Sequence, residues 1–202
     1  MYHIKQEEGS VKFDCHLEKE VIVIPQELFF PLNYWRKLLW DNKLIGVYPD
    51  GIGYGNISVR LPGSDLFYIS GTSTGSLPDL RQEHYSLVEQ CDPEVNSIRC
   101  RGLIKASAES MSHSAIYLGN PEALAVVHIH NRELWEKYRN SLPTTDDKIA
   151  YGTPEMAEEI GRIMKLPETL EKKVIVMGGH EEGLISFGKT VEEAAQDILS
   201  LK

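Results

Sequence analysis

Long apolar runs are missing from this sequence. No stretch approaches the roughly 18 consecutive apolar residues that a membrane-spanning helix needs, so no membrane partner is expected. The opening MYHIKQEEGS carries acids and no apolar stretch, unlike a secretory signal. Cysteine is scarce: Cys15, Cys91 and Cys100 make an odd count without metal-type spacing. That excludes a disulfide framework and predicts free thiols in a reducing, cytoplasmic setting. Basic charge is also short. Twenty-one Lys and Arg stand against 30 Asp and Glu, a net charge of -9 with no basic block, so nucleic acid is not an expected partner. Internal repeats, low-complexity tracts and linkers rich in Pro, Gly and Ser are absent too.

What is present reads as one ordinary globular domain. Hydrophobic residues are 42% and charged residues 25% of 202, enough for a core without covalent staples. The first ten residues are polar and expected to fray. Residues 20–24, EVIVI, read as a buried strand. A helix is expected with Pro31 in its first turn, burying Leu32, Trp35, Leu38 and Leu39 and closed by Gly46. Strands are predicted at 56–61, 66–70, 84–90 and 95–101, the last two joined by a turn at Cys91-Asp92-Pro93-Glu94. A helix from about Glu109 to Leu118 precedes the most apolar strand, Ala123 to Val127. Thr153-Pro154 opens another helix. Strands at 173–177 and 183–187 follow, and Thr190-x-x-Glu193 caps a last helix. The order predicts an α/β fold with a mostly antiparallel sheet and helices on both faces, a three-layer α/β/α sandwich.

The sharpest chemical feature is Ala125-Val126-Val127-His128-Ile129-His130. Residues two apart in a strand share a face, so His128 and His130 present two imidazoles side by side. Neutral imidazole suits zinc and neighbouring divalent transition metals. His180, in Gly178-Gly179-His180-Glu181-Glu182-Gly183, is a candidate third ligand, with the two acids as candidate supports for its ring. Glu109 stands where a helix should begin, a position that favours a carboxylate, and could ligate a metal or move a proton. His113, one turn later, reads as a buried structural residue. Gly51-Ile52-Gly53-Tyr54-Gly55-Asn56 runs into a strand and is no dinucleotide fingerprint. Ser70-Gly71-Thr72-Ser73-Thr74-Gly75 offers hydroxyls and backbone N–H groups to an anion without the lysine of a phosphate loop.

Taken in order, Gly55 to Arg60, Thr74-Gly75, Ser107-Ala108-Glu109, His113, Ala125 to His130, Tyr151-Gly152-Thr153-Pro154-Glu155 and Met177 to His180 resemble the class II aldolase/adducin family. The motifs span residues from about 31 to 200. Residues 26–202 are then the family domain and 1–25 an extension. The resemblance implies His128, His130 and His180 binding zinc or another divalent metal. It implies Glu109 as the acid/base residue, and Asn56, Thr74, Gly75 and Ser107 where the sugar-phosphate aldolases bind phosphate. It implies a homotetramer with active sites at subunit interfaces. An interface tyrosine acts as proton donor in such aldolases, and Tyr138 is the only tyrosine between His130 and Tyr151. The expected activity is aldol cleavage of a small hydroxy-carbonyl or sugar-phosphate substrate through a metal-stabilised enediolate. The alternatives are a dehydratase or epimerase of the same family, or a non-catalytic adducin-like scaffold.

Overall fold

The computed structural model describes residues 11–202; the fraying expected of the first ten lies outside the described residues. The chain runs β1 (Asp14–Lys19), α1 (Gln26–Asp41), β2 (Gly46–Val47), β3 (Gly53–Tyr54), β4 (Asn56–Arg60), β5 (Phe67–Ser70), β6 (Tyr85–Asp92), β7 (Ser97–Gly102), α2 (Ser110–Gly119), β8 (Ala125–His130), α3 (Arg132–Tyr138), α4 (Pro154–Ile163), α5 (Pro167–Lys172), β9 (Val174–Val176), β10 (Gly183–Gly188) and α6 (Val191–Leu199). Eight strands form one sheet in the order β1-β7-β6-β5-β4-β8-β10-β9, and β2 and β3 form a separate ribbon. Every pairing in the large sheet is antiparallel except β1 with β7.

Strand alternation divides the sheet between two apolar cores. Ile57, Val127, Ile129 and Leu184 pack with Leu32 and Leu39 of α1 and Ala194, Ala195 and Ile198 of α6. Ile69, Val126, Ile175 and Ile185 face the other way, against Met111 and Ile116 of α2 and Met156, Ile160 and Ile163 of α4. This is the layered α/β arrangement the sequence order predicts. The same alternation puts His128 and His130 on the α2 side with Val126. The pairing sets Asn56 opposite His128, and His130 opposite Gly183.

Three local expectations are corrected. Residues 20–24 form no strand; Val21 and Val23 are exposed while Ile22 and Ile24 are buried. The Gln82 side chain, not a neighbouring strand, accepts the Ile24 N–H at 3.0 Å, and the edge of the sheet is taken by β1. Helix α1 begins five residues before Pro31, which is exposed, so the missing backbone bond faces water. It ends at Asp41, well before Gly46, with Lys43 in the left-handed region at φ 59°. At α6 Thr190 accepts from the Glu193 N–H as expected, but the Glu193 carboxylate accepts from Lys189 N instead of completing the box. The cysteines are free thiols, and those of Cys15 and Cys100 meet at 3.7 Å across β1 and β7.

The buried Arg36 of α1 governs the loop after β5. Its guanidinium donates to the carbonyls of Thr74, Leu77 and Pro78. Trp40 adds a bond to Gly75 O at 3.0 Å. Arg36→Met keeps the apolar stem and orphans these carbonyls. It is expected to lower the unfolding free energy of the metal-free protein by about 3 kcal/mol. Urea unfolding checks this, and a loss under about 0.5 kcal/mol, the level of an ordinary surface change, would refute it.

Candidate metal centre and active site

His128, His130 and His180 converge. Each offers a ring nitrogen, and these atoms lie within 4.8 Å of one another, all in buried residues. The strand pleat holds the first two. His180 arrives on the turn between β9 and β10, where Gly183 leaves room for it: a Cβ there would lie 3.0 Å from His180 Nδ1.

The hydrogen bonds assign the tautomers. His128 Nδ1 donates to Leu184 O at 3.0 Å. The Tyr48 hydroxyl has one proton, which it donates to the Glu182 carboxylate at 2.7 Å. It therefore accepts from His130 Nδ1 at 2.8 Å. With both rings neutral, both Nε2 atoms carry lone pairs, and they stand 3.0 Å apart. Two lone pairs facing each other repel unless a cation lies between or beside them. Burial, followed by the neighbouring His130 and His180, holds His128 well below the ordinary imidazole value, so a proton suits the place poorly at neutral pH. A divalent cation suits it well.

Glu109 occupies the N-cap position of α2, its side chain making no capping hydrogen bond, and is 3% exposed. Its Oε2 accepts from the Ser112 hydroxyl at 2.7 Å. Its Oε1 has no hydrogen-bond partner among the described residues and lies 3.8 Å from His180 Nδ1. One oxygen is anchored and the other is directed at the cluster.

A cavity of about 230 Å³ opens onto these groups. Asn56, Thr74, Gly75 and Ser107 line it together with Glu109 and the three histidines, so all the sequence-predicted site residues come to one place. The buried Asn56 Oδ1 lacks a hydrogen-bond partner among the described residues. Thr74 Oγ1 donates to Gly71 O at 2.9 Å, and Ser107 Oγ accepts from Glu109 N at 3.3 Å. Gly75 is required by contact: a Cβ would sit 1.9 Å from Gly46 O. None of the described lining residues is a lysine or arginine.

Other expectations shift. Glu182 supports His130 through Tyr48 and bonds Arg132, while Glu181 pairs with Arg132, so both acids serve partners other than the expected His180 ring. Tyr138 donates to Leu201 O and is packed against the α1/α6 core; it does not line the cavity of its own chain. Tyr48, Tyr54 and Tyr151 surround the histidines instead. Tyr54 stacks on His130 at 5.6 Å between centroids and Tyr151 on His180 at 4.2 Å. Sequence reasoning missed Tyr48 and Tyr54, which reach His130 through the β2–β3 ribbon, too short to carry a periodic signal.

His113 is structural, as expected. It is fully buried, and the Ser58 hydroxyl joins its Nδ1 at 2.7 Å to the Tyr117 hydroxyl at 2.6 Å. Burial pushes His113 from 6.5 down to about 3. Between those values the unfolded chain holds a proton that the folded chain refuses, so stability falls as pH drops below about 6.5. For the metal-free protein at pH 5 the loss from this residue is about 2 kcal/mol relative to pH 7.5. His113→Gln is expected to remove that part of the acid slope. Equal slopes for variant and wild type in urea unfolding would refute it.

No curated protein sequence matches the chain. Solved structures share its fold. An L-fuculose 1-phosphate aldolase superposes with a TM-score of 0.65 at 15% identity, over 88% of this chain and 84% of the other. The L-fuculose-1-phosphate aldolase of Thermus thermophilus gives 0.60 at 21% identity, over 88% and 90%. A sugar-phosphate aldolase from Thermotoga maritima gives 0.61 at 18%, over 84% and 88%. Residues 50–202 match the Class II Aldolase and Adducin N-terminal domain. With three quarters of its length inside that match, the chain belongs to the class II aldolase and adducin family.

Proposed function

We propose that this protein is a metal-dependent lyase of the aldolase type, cleaving a small hydroxy-carbonyl or sugar-phosphate compound. His128, His130 and His180 hold zinc or another divalent transition metal. Residues 26–202 form the catalytic domain and 1–25 an extension of it, and the assembly is a homotetramer with sites at subunit interfaces. The observation that carries the reading is the meeting of three imidazoles with Glu109 Oε1, 3.8 Å from His180.

A cation bound there supplies a Lewis acid that lowers the cost of negative charge on a substrate carbonyl oxygen. The chain's own groups do the rest. Asn56, Thr74, Gly75 and Ser107 bind the polar end of the substrate and set its reach toward Glu109. Arg36 and Trp40 hold the carbonyls of the 74–78 loop away from that end. Glu109 Oε1 takes or returns the proton at the carbon next to the carbonyl, while Ser112 keeps the carboxylate from rotating away. Tyr54, Tyr151 and the glycine-rich loops form part of the cavity wall.

The test uses full-length protein purified without a histidine tag. Metal analysis is expected to find close to one divalent ion per chain. Metal-loaded protein screened against phosphorylated and unphosphorylated hydroxy-carbonyl compounds is expected to release an aldehyde from one of them. No metal and no uptake of added zinc would overturn the reading in favour of a scaffold. Loss of water without aldehyde would make the enzyme a dehydratase.

A further inference from the structure

A residue outside the family match reaches the three-histidine site. Lys12 precedes β1, and the parallel pairing of β1 with β7 carries it to the Tyr151 end of the cavity. Lys12 Nζ donates to Tyr151 O at 3.0 Å and lies 3.5 Å from the centroid of the Tyr151 ring. The same ring stacks on His180, with centroids 4.2 Å apart and planes 20° from parallel. Two groups this close to one ring centre cannot share a face. The order is therefore ammonium, phenol, imidazole.

The stack has a task. His128 and His130 are fixed by strand pleating and by hydrogen bonds from Nδ1. His180 sits on a turn instead of a strand; its N–H bonds Met177 O at 3.1 Å and its carbonyl accepts the Gly183 N–H at 2.8 Å, which holds the backbone and leaves the rotation of the ring to its neighbours. A flat ring pressed on its face removes the freedom to rotate. Glu109 stands nearby: a Cβ added at Gly152 would lie 3.9 Å from Glu109 Oε1 and 4.0 Å from Lys12 Cδ. Burial draws the Lys12 amine below its ordinary value and the Glu109 carboxylate opposes that.

We propose that Lys12 is a positioning residue of the metal site: its ammonium clamps Tyr151 onto His180 and so fixes the third imidazole for a divalent cation. The proposal rests on the reading of the three histidines as a metal site. It gives the segment before α1 a part in function.

The experiment titrates Co²⁺ into metal-free, full-length wild type, Lys12→Met and Lys12→Arg, with a competing chelator. Methionine keeps the apolar stem and deletes the charge; arginine keeps a cation that stacks on tyrosine. Lys12→Met is expected to bind Co²⁺ about 3–30-fold more weakly, the range of a partly buried cation–π contact, and Lys12→Arg within about twofold of wild type. In metal-free protein, the upfield ring-current shift of the His180 ring protons is expected to shrink in Lys12→Met and persist in Lys12→Arg. Unchanged affinity and unchanged His180 shift in a folded Lys12→Met would overturn the clamp while leaving the metal site standing. A wild type that takes up no Co²⁺ would overturn the metal reading and the clamp with it. Should Lys12→Met fail to fold, Lys12→Gln is read by the same two measurements.

Discussion

Glu109→Gln is expected to keep its metal and lose its activity. The substitution preserves shape and the bond from the Ser112 hydroxyl, because an amide oxygen can take the place of Oε2. It removes only the ability of the other oxygen to accept and return a proton. General acid–base catalysis of this kind contributes about 10²–10⁴-fold, so turnover should fall by that factor on a proven substrate. The three imidazoles are untouched, and metal content should stay near one per chain. A separate change, Ser112→Ala, should cost less, since it frees the carboxylate to rotate without removing it. If Glu109→Gln turned over at the wild-type rate, proton transfer would have to be assigned elsewhere. If it lost metal as well, Glu109 would have to be counted as an essential ligand.

Much of this site was legible in the sequence because its parts follow local rules. His128 and His130 obey strand alternation, which any reader of Ala125 to His130 can apply. The pairing of Asn56 with His128 across β4 and β8 was not legible, because it depends on which strands become neighbours and on their register. Glu109 announced a helix start, and Thr153-Pro154 and Thr190 capped helices as they do elsewhere. What stayed hidden depends on chain segments that meet without periodicity. Tyr48 follows a two-residue strand, and its bond to His130 spans 82 positions. Lys12 and Tyr151 are 139 positions apart. EVIVI misled because β-branched residues favour any extended backbone, and extension alone does not supply a strand partner. Arg36 is the same lesson inverted: on the buried stripe of α1 a charged residue looks like an error until the loop carbonyls it serves are in view.

His128→Asn separates the cost of the metal site from its purpose. The asparagine amide can still donate to Leu184 O, so the buried carbonyl is not orphaned. The inward Nε2 is gone. In the metal-free wild type that nitrogen faces its counterpart on His130 at 3.0 Å, and with both rings neutral the facing lone pairs oppose folding. The metal-free variant should therefore be at least as stable as the metal-free wild type. With metal the order reverses. A ligand that binds only the folded state stabilises by about 4 kcal/mol at a free concentration 1,000 times its Kd. Wild type should gain this in thermal or urea unfolding with added zinc and lose it to a chelator. His128→Asn, short of one of three ligands, should lose at least the roughly 10–100-fold in affinity that follows removal of a mere outer-shell support, and gain no more than about 1.4–2.7 kcal/mol at the same zinc concentration. Equal zinc-induced stabilisation in the two proteins would show that the cation sits elsewhere. A metal-free variant markedly less stable than wild type would show that His128 is held by the fold for packing, and the three imidazoles would then need another reason to face one another.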